Sequence, residues 1–273
     1  MKILALFTCH NRKEKTKKCI ETIVAGNQEC EFTFIVADDG STDGTYEILQ
    51  KLKKDFCIHV LKGEGNWFYS GGMHVGMEYA LHRLSHEFDY FLMMNDDVEF
   101  FGNGIQNMIS QSLTQDNAVI VGAMCNDIGK LSYGAVKYIS GYKYRKMDIS
   151  EWQIPADTFN ANCVLIPYRI FEDAAVIDSH YRHSLGDFDY GLSLKKAGYG
   201  IYQSREFVGI CNNNDNKGTW TDKSLSRIER IRKKESIKGA PTRQWFYFLK
   251  KNFGIARAIK GVVSPYLRIM LGK

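Results

Sequence analysis

Residues 90–98 place a burst of acid directly after an apolar stretch, and this pattern restricts the fold more than any other part of the chain. Residues 90–94 are aromatic or aliphatic, which is typical of a strand buried on both faces of a sheet. Asn95, Asp96 and Asp97 follow at once, and ligands of an open α/β sheet bind beyond the carboxyl ends of its strands. Two interpretations stay open. In the first, the adjacent carboxylates bind a hard divalent metal that holds a diphosphate. In the second, the residues form a plain solvent-exposed turn.

Further apolar strands alternate with amphipathic helices along the chain. Strands are predicted at 3–8, 32–37, 57–61, 90–94, 118–123, 159–167 and 200–208, and helices at 13–24, 46–53, 74–86, 102–113 and 168–175, with one more from residue 187. Strand–helix–strand spacing of this kind favours a right-handed, mostly parallel central sheet flanked by helices. Residues 125–158, rich in Tyr, Lys and Gly, are predicted to form an excursion or hairpin that faces the substrate.

Charge divides the chain near residue 222. Residues 223–273 hold 14 Lys and Arg against two Glu, whereas residues 1–222 hold 22 Lys and Arg against 29 Asp and Glu. We therefore predict one α/β domain at 1–222 and a basic, aromatic, helical extension at 223–273. Such an extension either lies on an anionic membrane surface or packs on the domain with a basic outer face. Its basic residues form no recognisable reading motif, so no nucleic acid partner is expected.

The cysteine pattern and the N-terminal residues indicate the compartment. The seven cysteines include no Cys-x-x-Cys pair, so we expect reduced and mostly buried thiols in a cytoplasmic protein. An apolar run of only six residues precedes a polar, basic segment, which predicts a first strand and not a signal peptide. No uncharged run approaches the roughly 20 residues that span a bilayer. We expect a cytoplasmic protein, peripheral on the inner face of the membrane if the extension binds there.

Three further segments carry candidate functional residues. Asp38 and Asp39 end the second predicted strand, before a turn of glycine and short polar residues. The glycines of residues 63–73 let backbone approach a ligand closely, although a plain loop is equally consistent. Asp187 stands where a helix begins, so its default role is a helix cap. Two pairs of histidines have metal-like spacing without a carboxylate motif, and we interpret both as structural. The pairs are His82 with His86 and His180 with His183.

Four stretches, taken in order, resemble the family 2 glycosyltransferases of the GT-A (Rossmann-like) fold. The stretches are Thr8–Arg12, Asp38–Thr45, Asn95–Asp97, and Gly186–Asp189 followed by Ala197–Tyr199. Within that family the chain is most similar to bacterial transferases that build surface polysaccharides, including rhamnosyltransferase-like members. The resemblance covers about residues 2–209.

The resemblance implies a role for each matching residue. It implies that Asp187 is the general base and that Asp97 binds Mn²⁺ or Mg²⁺ against the diphosphate of the donor. Asn162 and Asp189 are expected on the acceptor side of the site. The implied donor-binding residues are Thr8, Asn11, Arg12, Asp39, Gly71, Gly72 and Asp96.

Two departures from the family pattern concern the metal. The motif that often reads Asp-x-Asp begins here with Asn95, which leaves Asp97 as the main ligand. Many relatives also supply a histidine after the last strand, but this chain has no histidine beyond His183 and carries residues 211–215 there. Asp215, an asparagine or water are the alternatives for that ligand.

The expected activity is therefore that of a metal-dependent, inverting hexosyl- or deoxyhexosyltransferase. Its donor would be a UDP- or dTDP-sugar, and its acceptor a lipid-linked saccharide in the synthesis of bacterial surface polysaccharide. Two alternatives stay open. A nucleotidyltransferase also brings acidic pairs and a metal to a strand end, but it usually has a glycine-rich loop after the first strand. A non-catalytic module that binds nucleotides or sugars would not need Asp187.

Overall fold

The computed structural model describes residues 1–84 and 87–272, in which helices cover both faces of a central sheet. The strands are β1 (Lys2–Cys9), β2 (Glu31–Asp38), β3 (Cys57–Lys62), β4 (Tyr90–Met94), β5 (Glu99–Phe100), β6 (Val119–Cys125), β7 (Leu131–Tyr133), β8 (Ala135–Ser140), β9 (Lys143–Lys146), β10 (Thr158–Phe159), β11 (Cys163–Pro167) and β12 (Ile201–Ile210). The helices are α1 (Lys13–Gly26), α2 (Thr45–Leu52), α3 (Phe68–Arg83), α4 (Gly104–Thr114), α5 (Tyr168–Asp173), α6 (Gly186–Lys196), α7 (Arg227–Glu235), α8 (Thr242–Phe253) and α9 (Ile255–Met270).

The main sheet has nine strands within the described residues, in the order β3-β2-β1-β4-β11-β6-β12-β5, with β7 paired to β6. β1 runs parallel to β2 and β4, β2 to β3, and β6 to β12. β11 lies antiparallel between β4 and β6 and so joins the two parallel groups. Most strands therefore point the same way, which confirms the predicted α/β fold with a mostly parallel sheet.

Alternating side chains of β1 show how the sheet is buried on both faces. Ile3, Ala5 and Phe7 join one apolar cluster with residues of α1, α2 and α4. Leu4 and Leu6 point the other way and join a second cluster with residues of α3, α5 and α6. Because neighbouring residues of a strand face opposite sides, the continuous apolar run at the start of the chain serves both clusters.

The segment predicted as one strand at 159–167 is divided between two sheets. β10 belongs to a three-stranded sheet, β10-β8-β9, whereas β11 lies in the main sheet. The polar residues Asn160 and Asn162 interrupt the apolar run between them, and Asn162 accepts a hydrogen bond from the Asn95 backbone N–H at 3.1 Å. This division places the small sheet beside the end of β4, where the acidic residues lie.

Helix α3 begins at Phe68, six residues before its predicted start, so Gly71 and Gly72 lie in a helix and not in a loop. A Cβ atom at Gly72 would come within 2.6 Å of Thr8 Cγ2, and one at Gly76 within 2.3 Å of Leu6 Cδ1. Glycine at these two positions therefore lets α3 pack closely against β1. The last predicted residue of this helix, His86, lies outside the described residues.

The C-terminal helices pack against the sheet-bearing part of the chain. Phe248 and Leu249 of α8 and Ala258 of α9 share an apolar cluster with Phe188 and Leu192 of α6. The structure thus shows these helices packed on the domain, while membrane contact and the domain boundary at residue 222 stay predictions. Within residues 1–84 and 87–272, no helix is both long and apolar enough to cross a membrane.

Candidate active site

A cleft of about 670 Å³ opens beyond the carboxyl ends of β1, β2 and β4. Thr8, Asp39 and Asn95 line it at these strand ends, as expected for an open α/β sheet. Its other walls come from the small sheet, from the start of α6 and from α8. The cleft therefore brings together segments that are far apart in the sequence.

Acidic and basic side chains form ion pairs at one end of the cleft. Arg12 Nη1 lies 2.9 Å from Asp96 Oδ1 and 2.9 Å from Asp97 Oδ2. Asp96 is almost fully buried, and this burial raises the pKa of its carboxyl to about 6, while the Arg12 guanidinium opposes the rise. Adjacent carboxylates repel each other unless a positive charge lies beside them. Here Arg12, in the turn that follows β1, supplies that charge.

Asp97 is the residue that fits a divalent ion. Its side chain is 18% exposed and faces the cleft, and a carboxylate oxygen is the ligand type that Mn²⁺ and Mg²⁺ prefer. Across residues 1–84 and 87–272, no group of three or more His, Cys, Asp and Glu could hold a metal ion. Further ligands for an ion at Asp97 would therefore be other groups, such as an asparagine oxygen, donor phosphate oxygens or water.

The segment after β12 contains the candidates for a further protein ligand to the metal. Cys211 Sγ lies 3.7 Å from Asp97 Oδ1, and Asn212 and Asn214 also line the cleft. Asp215 is not among the lining residues and instead accepts a hydrogen bond from the Lys217 backbone N–H at 2.9 Å. Of the protein alternatives, the structure therefore favours an asparagine over Asp215.

Asp39 organises the loop between β3 and α3. Its carboxylate accepts backbone N–H hydrogen bonds from Gly65 (2.9 Å), Trp67 (3.1 Å) and Phe68 (2.8 Å). The side chain is 5% exposed, so this binding to three donors replaces its lost hydration. Asp39 also lines the cleft, which agrees with its expected place beside the donor.

We expect Asp39→Asn to lower the free energy of unfolding by about 1–3 kcal/mol. An asparagine must turn its NH₂ group toward at least one of the three N–H donors, which leaves that donor unpaired. Urea denaturation would measure the change. The matched control is Glu64→Gln, the same chemical change on an exposed side chain of the same loop. Equal stability of both variants would contradict the role of Asp39 in this loop.

Asp187 lies in the first turn of α6 and lines the cleft. Its carboxylate accepts N–H hydrogen bonds from Phe188 at 2.9 Å and from Ala161 at 3.3 Å. Burial raises the pKa of Asp187 to about 6, and these backbone bonds limit the rise. The carboxylate is thus oriented and mostly ionised at neutral pH, as a general base must be.

Close packing sets the start of α6. A Cβ atom at Gly186 would come within 2.6 Å of Ser70 Oγ, so glycine lets this helix approach α3. Leu185, just before it, adopts a left-handed φ of 77°, a conformation that non-glycine residues rarely adopt. The surrounding contacts therefore hold Leu185, two residues before the candidate base, in a strained conformation.

Not every predicted site residue lies in the cleft. Thr8, Arg12, Asp39, Asp96, Asp97, Asn162 and Asp187 line it, whereas Asn11, Gly71, Gly72 and Asp189 do not. Asn11 joins two turns, because its side-chain oxygen accepts the Thr42 N–H at 2.7 Å and its own N–H donates to Ser41 Oγ at 2.9 Å. It therefore supports the turns around the cleft from outside.

Asp189 has a different position from the one expected on the acceptor side. It is 2% exposed and accepts hydrogen bonds from Lys251 Nζ and Asn252 Nδ2, each at 2.6 Å. A buried carboxylate needs such partners, and both come from α8. Asp189 thus anchors the C-terminal helices to α6.

His180 and His183, the pair that the structure describes completely, have different surroundings. His82 bonds Glu78 at 3.1 Å on the exposed side of α3, and its partner at position 86 lies outside the described residues. His180 bonds Asp178 at 2.9 Å, whereas His183 lines the cleft. Burial and the nearby positive charges of Lys238 and Arg12 lower the pKa of His183 to about 4, so its ring is neutral.

An aromatic wall lines the cleft, and it joins tyrosines of the segment predicted to face the substrate to aromatic residues of α6 and α8. It consists of Tyr138, Tyr142, Tyr144, Phe188, Trp245 and Phe248. Tyr142 and Trp245 meet edge to face with ring centroids 5.8 Å apart, and Tyr144 and Phe188 do so at 5.1 Å. The sequence showed tyrosines near 138 and aromatic residues near 245, but only tertiary packing brings them together.

Comparisons with known proteins identify similar sequences. Residues 5–173 match the family model described as glycosyl transferase family 2. The low-salt glycan biosynthesis hexosyltransferase Agl10 of Haloferax volcanii is 21% identical over 216 residues, which cover 77% of this chain and 67% of that protein.

Solved structures of similar architecture include two transferases. Residues 1–349 of S. aureus TarS give a TM-score of 0.58 at 13% identity, covering 98% of this chain and 81% of that one. The mannosyltransferase PcManGT of Pyrobaculum calidifontis, solved with GDP-Man and Mn²⁺, gives a TM-score of 0.61 at 10% identity, covering 99% and 73%. TarS has also been solved with UDP and with UDP-GlcNAc. These similarities show a shared GT-A fold.

Proposed function

The chain belongs to glycosyl transferase family 2, and from this premise we propose that it transfers a sugar from a UDP- or dTDP-sugar to a saccharide, with inversion. The observation that supports this most strongly is the joint placement of two groups in one cleft. Two backbone N–H groups orient the Asp187 carboxylate. The Asp96 and Asp97 carboxylates lie in the same cleft, each paired with Arg12. A base and a charged phosphate site are the two parts that such a transfer requires.

The proposed mechanism is a single displacement. Asp187 removes the proton from the attacking acceptor hydroxyl while the sugar–phosphate bond breaks on the opposite face of the sugar. A divalent ion bound at Asp97 would neutralise the negative charge that develops on the leaving diphosphate. Arg12 orients both carboxylates of the pair, and Asp39 keeps the loop at residues 65–68 in place beside the donor.

The aromatic wall is proposed as the acceptor side. Tyr142, Tyr144 and Trp245 offer flat apolar faces with polar rims, which suit the apolar faces and hydroxyls of a saccharide ring. Asn162 also lines the cleft, where its Nδ2 lies 3.3 Å from Cys211 Sγ, and it is proposed to contact the acceptor. We further propose a hexosyl or deoxyhexosyl group as the transferred sugar. The acceptor would be a lipid-linked saccharide at the cytoplasmic membrane face, in the synthesis of bacterial surface polysaccharide.

A nucleotide panel tests the donor class. The purified protein would be offered UDP-, dTDP- and GDP-sugars with Mn²⁺, Mg²⁺ or EDTA, and both thermal shift and slow donor hydrolysis would be measured. We expect one nucleotide class to raise the melting temperature, with a larger rise when metal is present. If no sugar nucleotide shifted the melting temperature under any of these conditions, the donor site would be misassigned.

A further inference from the structure

Helix α9 exposes a continuous apolar stripe. Ile255, Ile259, Val263 and Leu267 recur every four residues, and their exposed fractions are 53%, 56%, 47% and 57%. Met270 and Leu271, exposed by 54% and 68%, extend it to the end of the helix. Residues four apart lie on one side of a helix, so these side chains form a single surface, called here the α9 stripe. Scattered exposed apolar residues are ordinary, but a contiguous patch marks an interaction site.

The α9 stripe is not needed to hold the helix on the domain. A different side of α9 is buried, through Ala258, Gly261 and Ile269. A Cβ atom at Gly261 would come within 2.2 Å of Leu249 Cδ1, which shows how closely α9 packs on α8. Thr242 of α8 and Tyr266 of α9 are also joined by a 2.6 Å hydrogen bond. The helix is therefore fixed by its buried side, and the stripe is surplus to that packing.

The positive charge around the α9 stripe indicates which kind of partner binds it. Residues 255–273 contain four Lys and Arg and no acidic residue, within an extension of net charge +12. Two copies of this surface would repel each other, and a neutral partner would gain nothing from the charge. An anionic bilayer matches both features, because its surface attracts basic residues and its headgroup boundary accepts the apolar face of an amphipathic helix.

We propose that α9 lies in the headgroup region of an anionic membrane, with the α9 stripe inserted and Arg257, Lys260 and Arg268 beside the lipid phosphates. The helix is also coupled to the cleft. Trp245, part of the aromatic wall, donates a hydrogen bond from Nε1 to the Gly261 carbonyl at 3.1 Å. Membrane binding would thus hold this wall near the bilayer surface, a consequence that rests on the proposed function with a lipid-linked acceptor.

Flotation with lipid vesicles tests the proposal without requiring activity. The full chain would be mixed with vesicles of phosphatidylcholine alone or of phosphatidylcholine with phosphatidylglycerol. We expect it to float only with the anionic vesicles and to dissociate as ionic strength rises. The variant Ile259→Gln, Val263→Gln, Leu267→Gln should bind them about tenfold more weakly or worse. The matched control, Leu113→Gln, Ile128→Gln, Ile154→Gln, changes three exposed apolar residues elsewhere and should bind as the unmodified protein does.

Three outcomes would overturn the proposal. The first is no flotation at low ionic strength, and the second is equal flotation of the α9 variant and the unmodified protein. The third is a concentration-dependent dimer in analytical ultracentrifugation that the α9 variant abolishes, since the stripe would then be an interface between copies. Nucleotide binding, measured separately by thermal shift, shows whether each variant is folded and keeps this test distinct from that of the proposed function.

Discussion

Replacing Asp187 by asparagine is expected to lower the turnover number by about 10²–10⁴-fold, the usual contribution of a positioned general base. Nucleotide affinity should change little, because Asp187 lies at the start of α6 and not in the acidic pair that we propose to face the donor phosphates. Steady-state kinetics with saturating donor would give the turnover number, and calorimetric titration with the nucleotide would give the affinity.

Asp189→Asn is the matched control, since it makes the same change two residues away on the same helix. Asp189 anchors α8 through Lys251 and Asn252, so this variant should unfold more easily but keep its turnover number. Melting temperatures of both variants separate loss of the base from loss of the fold. Unchanged turnover in Asp187→Asn would remove the base assignment and favour a module that only binds nucleotides or sugars.

The pH profile gives an independent reading of the same group. Burial raises the pKa of Asp187 to about 6, and only the ionised carboxylate can accept the acceptor's proton. The turnover number should therefore be level above this value and fall by about tenfold per pH unit below it. In Asp187→Asn the residual rate should lose this acidic limb.

Local sequence patterns predicted the strands well, because a strand that is buried on both faces needs apolar residues at nearly every position. The runs at the starts of β1 and β4 are continuously apolar, and the acidic residues after β2 and β4 lie at the cleft as expected. Asp187, which the resemblance marks as a site residue, lines the same cleft, and its role as the base stays a prediction.

The missed features depend on contacts between distant segments. The resemblance implies donor binding for Gly72, whereas the structure shows that Gly72 and Gly76 permit close packing of α3 on β1. Asp189 is part of the family motif and was expected near the acceptor, yet its carboxylate pairs with Lys251, 62 residues later. Neither the packing partner of a helix nor the counterion of a carboxylate is specified by the residues beside it in sequence.

Replacing Asp97 by asparagine is expected to remove the strengthening of nucleotide binding by metal and to slow sugar transfer by about 10²–10⁴-fold, since a metal contributes several kcal/mol to charge stabilisation. The Asp97 carboxylate is the exposed member of the acidic pair and faces the cleft. Asp96 cannot easily take over, because it is only 4% exposed, although Arg12 pairs with both carboxylates. Calorimetric titration of the nucleotide with Mn²⁺ and with EDTA would measure the first effect.

The control for Asp97→Asn is Glu99→Gln, which neutralises a carboxylate two residues further on. Glu99 pairs with Lys18 at 2.7 Å and is 48% exposed, so its loss should leave both nucleotide binding and transfer nearly unchanged. Equal strengthening of nucleotide binding by Mn²⁺ in Asp97→Asn and in the unmodified protein would place the metal elsewhere. If EDTA had no effect on the unmodified protein while Asp97→Asn still bound the nucleotide poorly, Asp97 would act through Arg12. The guanidinium, held 2.9 Å from both carboxylates, would then supply the positive charge at the phosphate site.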